Sequence, residues 1–332
     1  MLDVVMLIKE SGYGTGVTVS ANHLKNILSE AGISSEIDIY LDDEDLIKKV
    51  EALDARLIVL QVPTFSNETL RTLVATGKRI VLATHSTMCN LQVEGDALGR
   101  LLEVLAMGNE NLVLTCPSLV EVRSFASFAK TRVCYLPNTY SYKIPDERIA
   151  AKINARAGCF EPLKISIFCA IRPFKNILTQ MCAVSLLSKR IPNIELHLLE
   201  GNDYLSSCID MLGEAFPFKV VRHPSCTNEE LLEIISDMHI GMQVSLSETF
   251  SYVAHEHMNM GVPVVASASV PYANAVVDYS NAEQMAEAMY KIASDKEQYR
   301  KICEETVASA KKLSALINSD AAALFADLLS GT

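Results

Sequence analysis

Short apolar runs alternate with amphipathic stretches from one end of the chain to the other, and this rhythm limits the possible folds more than any other feature. DVVMLI, ARLIVLQV, KRIVLAT, NLVLTC and TRVCYL read as strands of the first half. Helix-patterned segments separate them, near 17–31, 43–53, 66–76, 91–107 and 118–130. Strands that alternate with helices of about ten or more residues build βαβ units, and therefore a parallel sheet. The rhythm stops over 137–162, which holds three prolines and no long apolar run. It restarts with LKISIFCAI, IELHLLE, FKVVRH, HIGMQV and VPVVAS. At 332 residues, two domains of ordinary size are expected. The expected fold class is α/β, with two Rossmann-like domains in tandem. The first covers 1–140, a linker 141–162, and the second 163–313. A C-terminal helix over 314–332 would follow a break near Ser314 and pack back on the first domain.

Charge and cysteine usage remove several classes of function. The net charge is −11 and the cations are diluted along the chain, so a phosphate-rich polymer is not the obvious partner. Nine scattered cysteines without a CxxC pair argue against a disulfide framework or a zinc site, and for a reducing, cytoplasmic setting. No apolar run approaches the roughly 18 residues of a membrane span. The start, MLDVVMLIKESGYG, lacks a basic leader and reads as the first strand. His255 and His257 stand at i and i+2, which point apart on a helix, and HExxH is absent, so no metal is expected. GxSxG does not occur either.

Three motifs remain. SGYGTGV follows the first strand and opens the first helix. Gly12, Gly14 and Gly16 permit a tight turn and close approach of an anion to backbone N–H groups. As G-x-G-x-x-G the motif is incomplete, because Val17 and Val19 occupy the positions where the third glycine would stand. Two readings stand, an anion loop or a plain strand-to-helix turn. In IRPFKN, Arg172 and Lys175 emerge at the carboxyl end of a strand, where ligands of open α/β sheets bind. Two neighbouring cations repel each other unless a di-anion arrives, although a pair of ordinary surface cations also fits. Finally, SETFSYVAHEHMNMGVPVV places Glu248 before a helix and Glu256 eight positions on, about two turns deep. His255 and His257 suggest that part of this helix is wet.

The pattern from Glu248 to Glu256, closed by Gly261-Val262-Pro263-Val264-Val265, resembles the E-x7-E motif of retaining glycosyltransferases of family 4. These have the GT-B architecture, two Rossmann-like domains with parallel sheets facing across a cleft. IRPFKN, HLLEGND, CYLPNTY and the Thr84-His85-Ser86 loop fall in the family's order. The likeness is strong over 163–267 and weak over 1–135. It implies that Arg172 and Lys175 hold the diphosphate of a nucleotide-sugar and stabilise the leaving group. Glu256 would accept from the ribose hydroxyls and Glu248 would orient the donor sugar. Thr249, Phe250, Ser251 and Tyr252 would meet sugar and phosphate at the helix start. Gly14, Thr15 and Gly16 would close over the diphosphate or the acceptor, and His85 would touch the sugar near its anomeric centre. The chain departs from the family where only Pro173 and Phe174 separate Arg172 from Lys175, and where His257-Met258-Asn259-Met260 replace small residues.

The resemblance therefore implies a retaining, metal-independent glycosyltransferase, with a hexosyltransferase expected. It would need no cofactor beyond a UDP- or GDP-linked donor. Its acceptor would be a glycan, a lipid-linked sugar or a small metabolite, with nucleic acid entering only as a modified DNA base. Retaining glycosidases set two carboxyls about 5 Å apart, whereas residues two helical turns apart are separated by about 12 Å. A front-face ion-pair route is therefore expected over double displacement. A non-catalytic GT-B nucleotide-binding protein and a nicotinamide-dependent Rossmann enzyme are the competing classes.

Overall fold

A computed structural model describes residues 1–12, 16–62, 64–201 and 204–331. The chain divides into two compact units, residues 1–142 with 314 onward, and residues 143–313.

The first unit contains β1 (Leu2–Lys9), α1 (Gly16–Glu30), β2 (Ser35–Tyr40), α2 (Asp43–Ala52), β3 (Ala55–Gln61) and α3 (Asn67–Ala75). It continues with β4 (Ile80–Ala83), α4 (Met88–Leu91), α5 (Ala97–Met107), β5 (Leu112–Cys116), α6 (Leu119–Ala126) and β6 (Arg132–Tyr135). All six strands are parallel, in the order β2-β1-β3-β4-β5-β6. The two-residue period of β1 serves two cores at once. Val5 and Leu7 pack on one side of the sheet with Ile58 and Leu60, while Val4, Met6 and Ile8 pack on the other with Leu57 and Val59. Covering both faces is what makes these strands read as unbroken apolar runs.

The second unit contains α7 (Asp146–Gly158), β7 (Leu163–Ile167), α8 (Ile177–Ser188), β8 (Ile194–Leu199), α9 (Tyr204–Ala215), β9 (Lys219–His223) and α10 (Asn228–Ser236). It continues with β10 (Ile240–Gln243), α11 (Tyr252–Asn259), β11 (Val264–Ser267), β12 (Ala275–Val277) and α12 (Ala282–Ala293). Its sheet runs β9-β8-β7-β10-β11-β12, again parallel throughout. Counted from β7 this is the 3-2-1-4-5-6 order of dinucleotide-binding folds, whose ligand crevice opens between the first and fourth strands. Here those strands are β7 and β10.

Two expectations meet a different local structure. The stretch 141–162, expected as a linker, holds α7. Its Ile149, Ile153 and Ala157, spaced four apart on one face, are buried in the second unit's core. The C-terminal region has no break near Ser314. Helix α13 runs unbroken over Lys296–Ser330, because no glycine or proline interrupts it. The break falls earlier, at Ser294–Asp295. There the Asp295 carboxylate accepts from Gln298 N at 2.9 Å and caps the new helix. Up to Leu313 α13 belongs to the second unit, and from Ser314 to the first. There Ile317, Ala321, Phe325 and Leu328 are buried, the last three among the β-strand residues Val4, Met6 and Val59. By length and composition alone α13 could cross a membrane, which the run-length reading of the sequence did not anticipate. Asp320 and Asp327 punctuate its apolar stretch, and Asp327 pairs with Arg132 at 2.6 Å.

Candidate active site

The loops that leave β7 and β10 straddle the switch point of the second unit. After β7 the chain passes through Arg172, which is exposed, into a single 3-10 turn, Pro173–Lys175. Proline at the first position presets the turn. Asn176 then adopts φ 52°, a left-handed conformation that asparagine tolerates better than most residues, and α8 begins. After β10 the chain runs from Val244 to Ser251 without regular structure and enters α11.

Backbone and amide bonds stitch the two loops together. Leu246 N donates to Phe174 O at 2.8 Å. Asn176 Nδ2 donates to Val244 O at 3.2 Å and to Tyr279 O at 2.7 Å. Gln180 Nε2 donates to Lys175 O at 2.7 Å, while its Oε1 accepts from Val244 N at 3.1 Å. The outcome is an ion pair between Lys175 Nζ and Glu248 Oε1, formed across 73 residues of sequence. Both side chains are largely withdrawn from solvent, at 22% and 10% exposure, so water screens the pair only partly. The structure thus brings Lys175 and Glu248 together and sets Arg172 at the mouth of the same loop.

The start of α11 is strained. Ser251 has φ 62°, uncommon for a residue with a side chain, while its hydroxyl accepts from Ala254 N at 3.4 Å as the helix cap. Tyr272 holds this turn from outside the motif, its hydroxyl donating to Phe250 O and to Ser251 O, the latter at 3.2 Å. Phe250 is buried, and Thr249 and Tyr252 are half-buried. Such residues cluster where a loop must present backbone groups in one orientation.

Glu256 is five residues into α11, whereas Glu248 lies four residues before the helix begins. The two acids therefore do not share a helix, and a two-turn separation does not describe them. Glu256 is 3% exposed and its Oε2 has no hydrogen-bond partner. Burial raises its pKa to about 7. Burial, then the charges of Glu230 and Glu256, raise the pKa of the Cys226 thiol.

The wet helix expected around the histidines is not found, for both are fully buried. His257 Nδ1 donates to Val253 O at 2.6 Å and Nε2 accepts from Ser166 Oγ at 2.7 Å, so the ring is a neutral core bridge between α11 and β7. Burial lowers its pKa to about 4. Gly241 makes room, since a Cβ there would lie 2.5 Å from the His257 ring. Sequence reasoning missed this, and also Gln180, Asn176 and Tyr272. The available signal was Gln180 itself, a lone amide inside the apolar run ILTQMCAV.

In the first unit, Gly14 and Thr15 lie outside the described residues, and Gly16 is the first residue of α1. His85 follows β4, and its Nε2 donates to Oε1 of the buried Gln61 at 2.6 Å. Burial lowers the His85 pKa to about 4, so the ring is neutral near pH 7. Next to Gln61, Val62 has φ 62°, a conformation that a β-branched side chain resists. Among the described residues, no group of three or more His, Cys, Asp or Glu side chains could hold a metal ion.

Comparison with known proteins bears on the second unit and on the fold. The family model described as glycosyl transferases group 1 matches residues 164–295. No protein of curated function matches the chain in sequence. Among solved structures, HepE of Anabaena in complex with UDP-glucose is similar over 100% of both chains, with a TM-score of 0.73 and 13% identity. Sucrose-phosphate synthase of Thermosynechococcus elongatus also covers 100% of both, with a TM-score of 0.72 and 16% identity. The trehalose 6-phosphate synthase of Burkholderia multivorans covers 99% of this chain and 97% of its own, with a TM-score of 0.71 and 12% identity. Residues 164–295 are thus a glycosyl transferases group 1 domain, carried by a chain with the GT-B fold.

Proposed function

We propose that this protein is a retaining glycosyltransferase that moves a sugar from a nucleoside-diphosphate sugar to an acceptor hydroxyl. The observation that carries the reading is the Lys175–Glu248 pair at the switch point of the second unit, with Arg172 on the same loop. A diphosphate arriving there would take the Lys175 ammonium from Glu248 and recruit Arg172, leaving Glu248 to accept from sugar hydroxyls. The buried, unpartnered Glu256 Oε2 suits the two ribose hydroxyls, which are donors. Amides of Thr249, Phe250 and Ser251, and Tyr252 beside them, would face sugar and phosphate at the start of α11. That HepE was solved with UDP-glucose favours a UDP-linked donor over a GDP-linked one.

In the transfer, the bond between the anomeric carbon and the diphosphate oxygen breaks and its electron pair stays on the diphosphate. Arg172 and Lys175 stabilise that growing charge, the kind of interaction usually worth most in catalysis. These two cations stand where a divalent ion would otherwise serve, so activity is expected to survive chelation. The acceptor oxygen bonds the anomeric carbon on the face just vacated, and its proton passes to the departing phosphate. Glu248 positions the sugar rather than attacking it, its carboxylate accepting from the donor's hydroxyls once Lys175 has turned to the diphosphate. His85 would act near the sugar as a neutral hydrogen-bonding group, and the loop at Gly14, Thr15 and Gly16 would meet diphosphate or acceptor. The acceptor is a glycan, a lipid-linked sugar or a small metabolite, and the setting is cytoplasmic.

A thermal-shift panel of UDP, GDP, ADP and NAD tests the reading. A nucleoside diphosphate at 100 times its Kd should stabilise the fold by about 2.7 kcal/mol. A donor-hydrolysis screen with NMR assignment of the product anomer then fixes sugar and stereochemistry. Stabilisation by NAD alone, or an inverted anomer, overturns the proposal.

A further inference from the structure

Gln180 does not belong to any of the motifs, and it is 1% exposed within α8. Burying a primary amide there costs free energy that a methionine of similar shape would avoid. The two ends of this amide are spent on the two loops that carry the site charges. Nε2 holds Lys175 O at 2.7 Å and Oε1 holds Val244 N at 3.1 Å. A second Nε2 contact, to Asn176 O at 3.5 Å, lies at the limit of a hydrogen bond. Lys175 closes the 3-10 turn, and Val244 opens the loop to Glu248. Fixing these backbone atoms fixes how far the Lys175 side chain starts from the Glu248 carboxylate. Asn176 adds bonds from the same turn, but through a residue already held in a left-handed conformation.

We infer that Gln180 is a positioning residue for the diphosphate subsite: it touches no substrate, and it sets the Lys175 turn against the Glu248 loop so that the ammonium meets the distal phosphate. This rests on the proposed function for the identity of the ligand, but the coupling of Gln180 to Lys175 does not.

The test compares wild type with Gln180→Met and Gln180→Glu. Glutamate keeps an acceptor for Val244 N and, when ionised, replaces the donor to Lys175 O by a repelling oxygen. It thus gives a second variant with the same contact broken should the methionine variant fail to fold. By calorimetry, UDP binding should weaken about tenfold while UMP binding stays within about twofold. Against a Lys175→Met background the Gln180 change should add nothing further to the UDP loss, as expected for residues acting as one unit. Without any ligand, acetic-anhydride labelling read by mass spectrometry should show Lys175 modified several-fold faster in the Gln180 variants, with the other lysines unchanged. Equal weakening of UDP and UMP, additivity with Lys175→Met, or unchanged Lys175 labelling overturns the inference. A wild-type protein that binds no nucleoside diphosphate defeats the functional reading instead, and the labelling still judges the role of Gln180.

Discussion

In the second unit, the loops after β7 and β10 flank the switch point and bring Lys175 to Glu248. In the first unit the order β2-β1-β3 puts the switch point between β1 and β3. What the described residues place at the end of β3 is neutral: Gln61 bonded to His85, beside a strained Val62. Two sheets of the same size and strand direction thus carry different chemistry on equivalent edges. The second unit concentrates fixed charge, which suits a diphosphate. At the end of β3 the first offers uncharged hydrogen-bonding groups, which suit the hydroxyls of a sugar or an acceptor, while Lys9 and Glu10 carry charge at the end of β1. A shared layered fold says where a ligand can sit, and only the side chains on the carboxyl-end loops say which ligand.

The difference is broken or sharpened most strongly by catalysis. Glu248→Gln should lower donor turnover by about a hundredfold or more, whereas His85→Asn should cost about tenfold or less. Mass spectrometry of the wild-type reaction should reveal no sugar bound covalently at Glu248, and finding one there would replace the front-face route with double displacement. Equal losses at the two positions would mean that the first unit contributes as much to the chemistry as the second.

A smaller effect is expected from the buried acid. The Glu256 pKa rises from 4.5 to about 7 through burial. Below pH 4.5 the folded and unfolded chains both hold this proton, and the stability associated with the neutral acid is fully present. As pH rises the unfolded chain releases the proton first, so stability falls and is lost through about pH 7. The full difference is roughly 3 kcal/mol. Glu256→Gln should therefore raise the melting temperature of the ligand-free protein at pH 8, flatten its dependence between pH 4.5 and 7, and weaken nucleotide binding. A melting temperature that is unchanged at pH 8 would show that Glu256 is solvated after all.

The smallest effect concerns strain. Val62→Gly should relieve a conformation that costs on the order of 1–3 kcal/mol, offset in part by about 0.5–1 kcal/mol of backbone entropy. A rise of about 2 °C in melting temperature is expected by calorimetry. Ser251→Gly in the second unit should gain less, because it also removes the cap on Ala254 N. A drop for Val62→Gly would show that its half-buried side chain matters more than its backbone.

How much of this was legible follows from the range of each interaction. The five strand runs quoted from each half lie on ten of the twelve described strands. Strands inside a sheet, such as β3 and β4, are buried on both faces and read as apolar runs, whereas the edge strand β2, SEIDIY, alternates charge and left none. The three-residue β12 was too short to leave such a run. α7 was hidden by the prolines around it, although Ile149, Ile153 and Ala157 carry the helical spacing. His255 and His257 misled because composition alone cannot distinguish an exposed imidazole from one satisfied by Ser166 and Val253.

By itself, the amino-acid order determined the parallel α/β class, the repeat of that plan in two halves, and the Glu248–Glu256 spacing that marks the second half. These are local periodicities, written within a few residues of one another. Only the tertiary structure decided that Lys175 pairs with Glu248, that Gln180 spans their two loops, and that Glu256 is buried with its Oε2 lacking a hydrogen-bond partner. Those facts depend on which strands lie side by side, and a sheet order is set by packing among segments tens of residues apart, which no local pattern encodes.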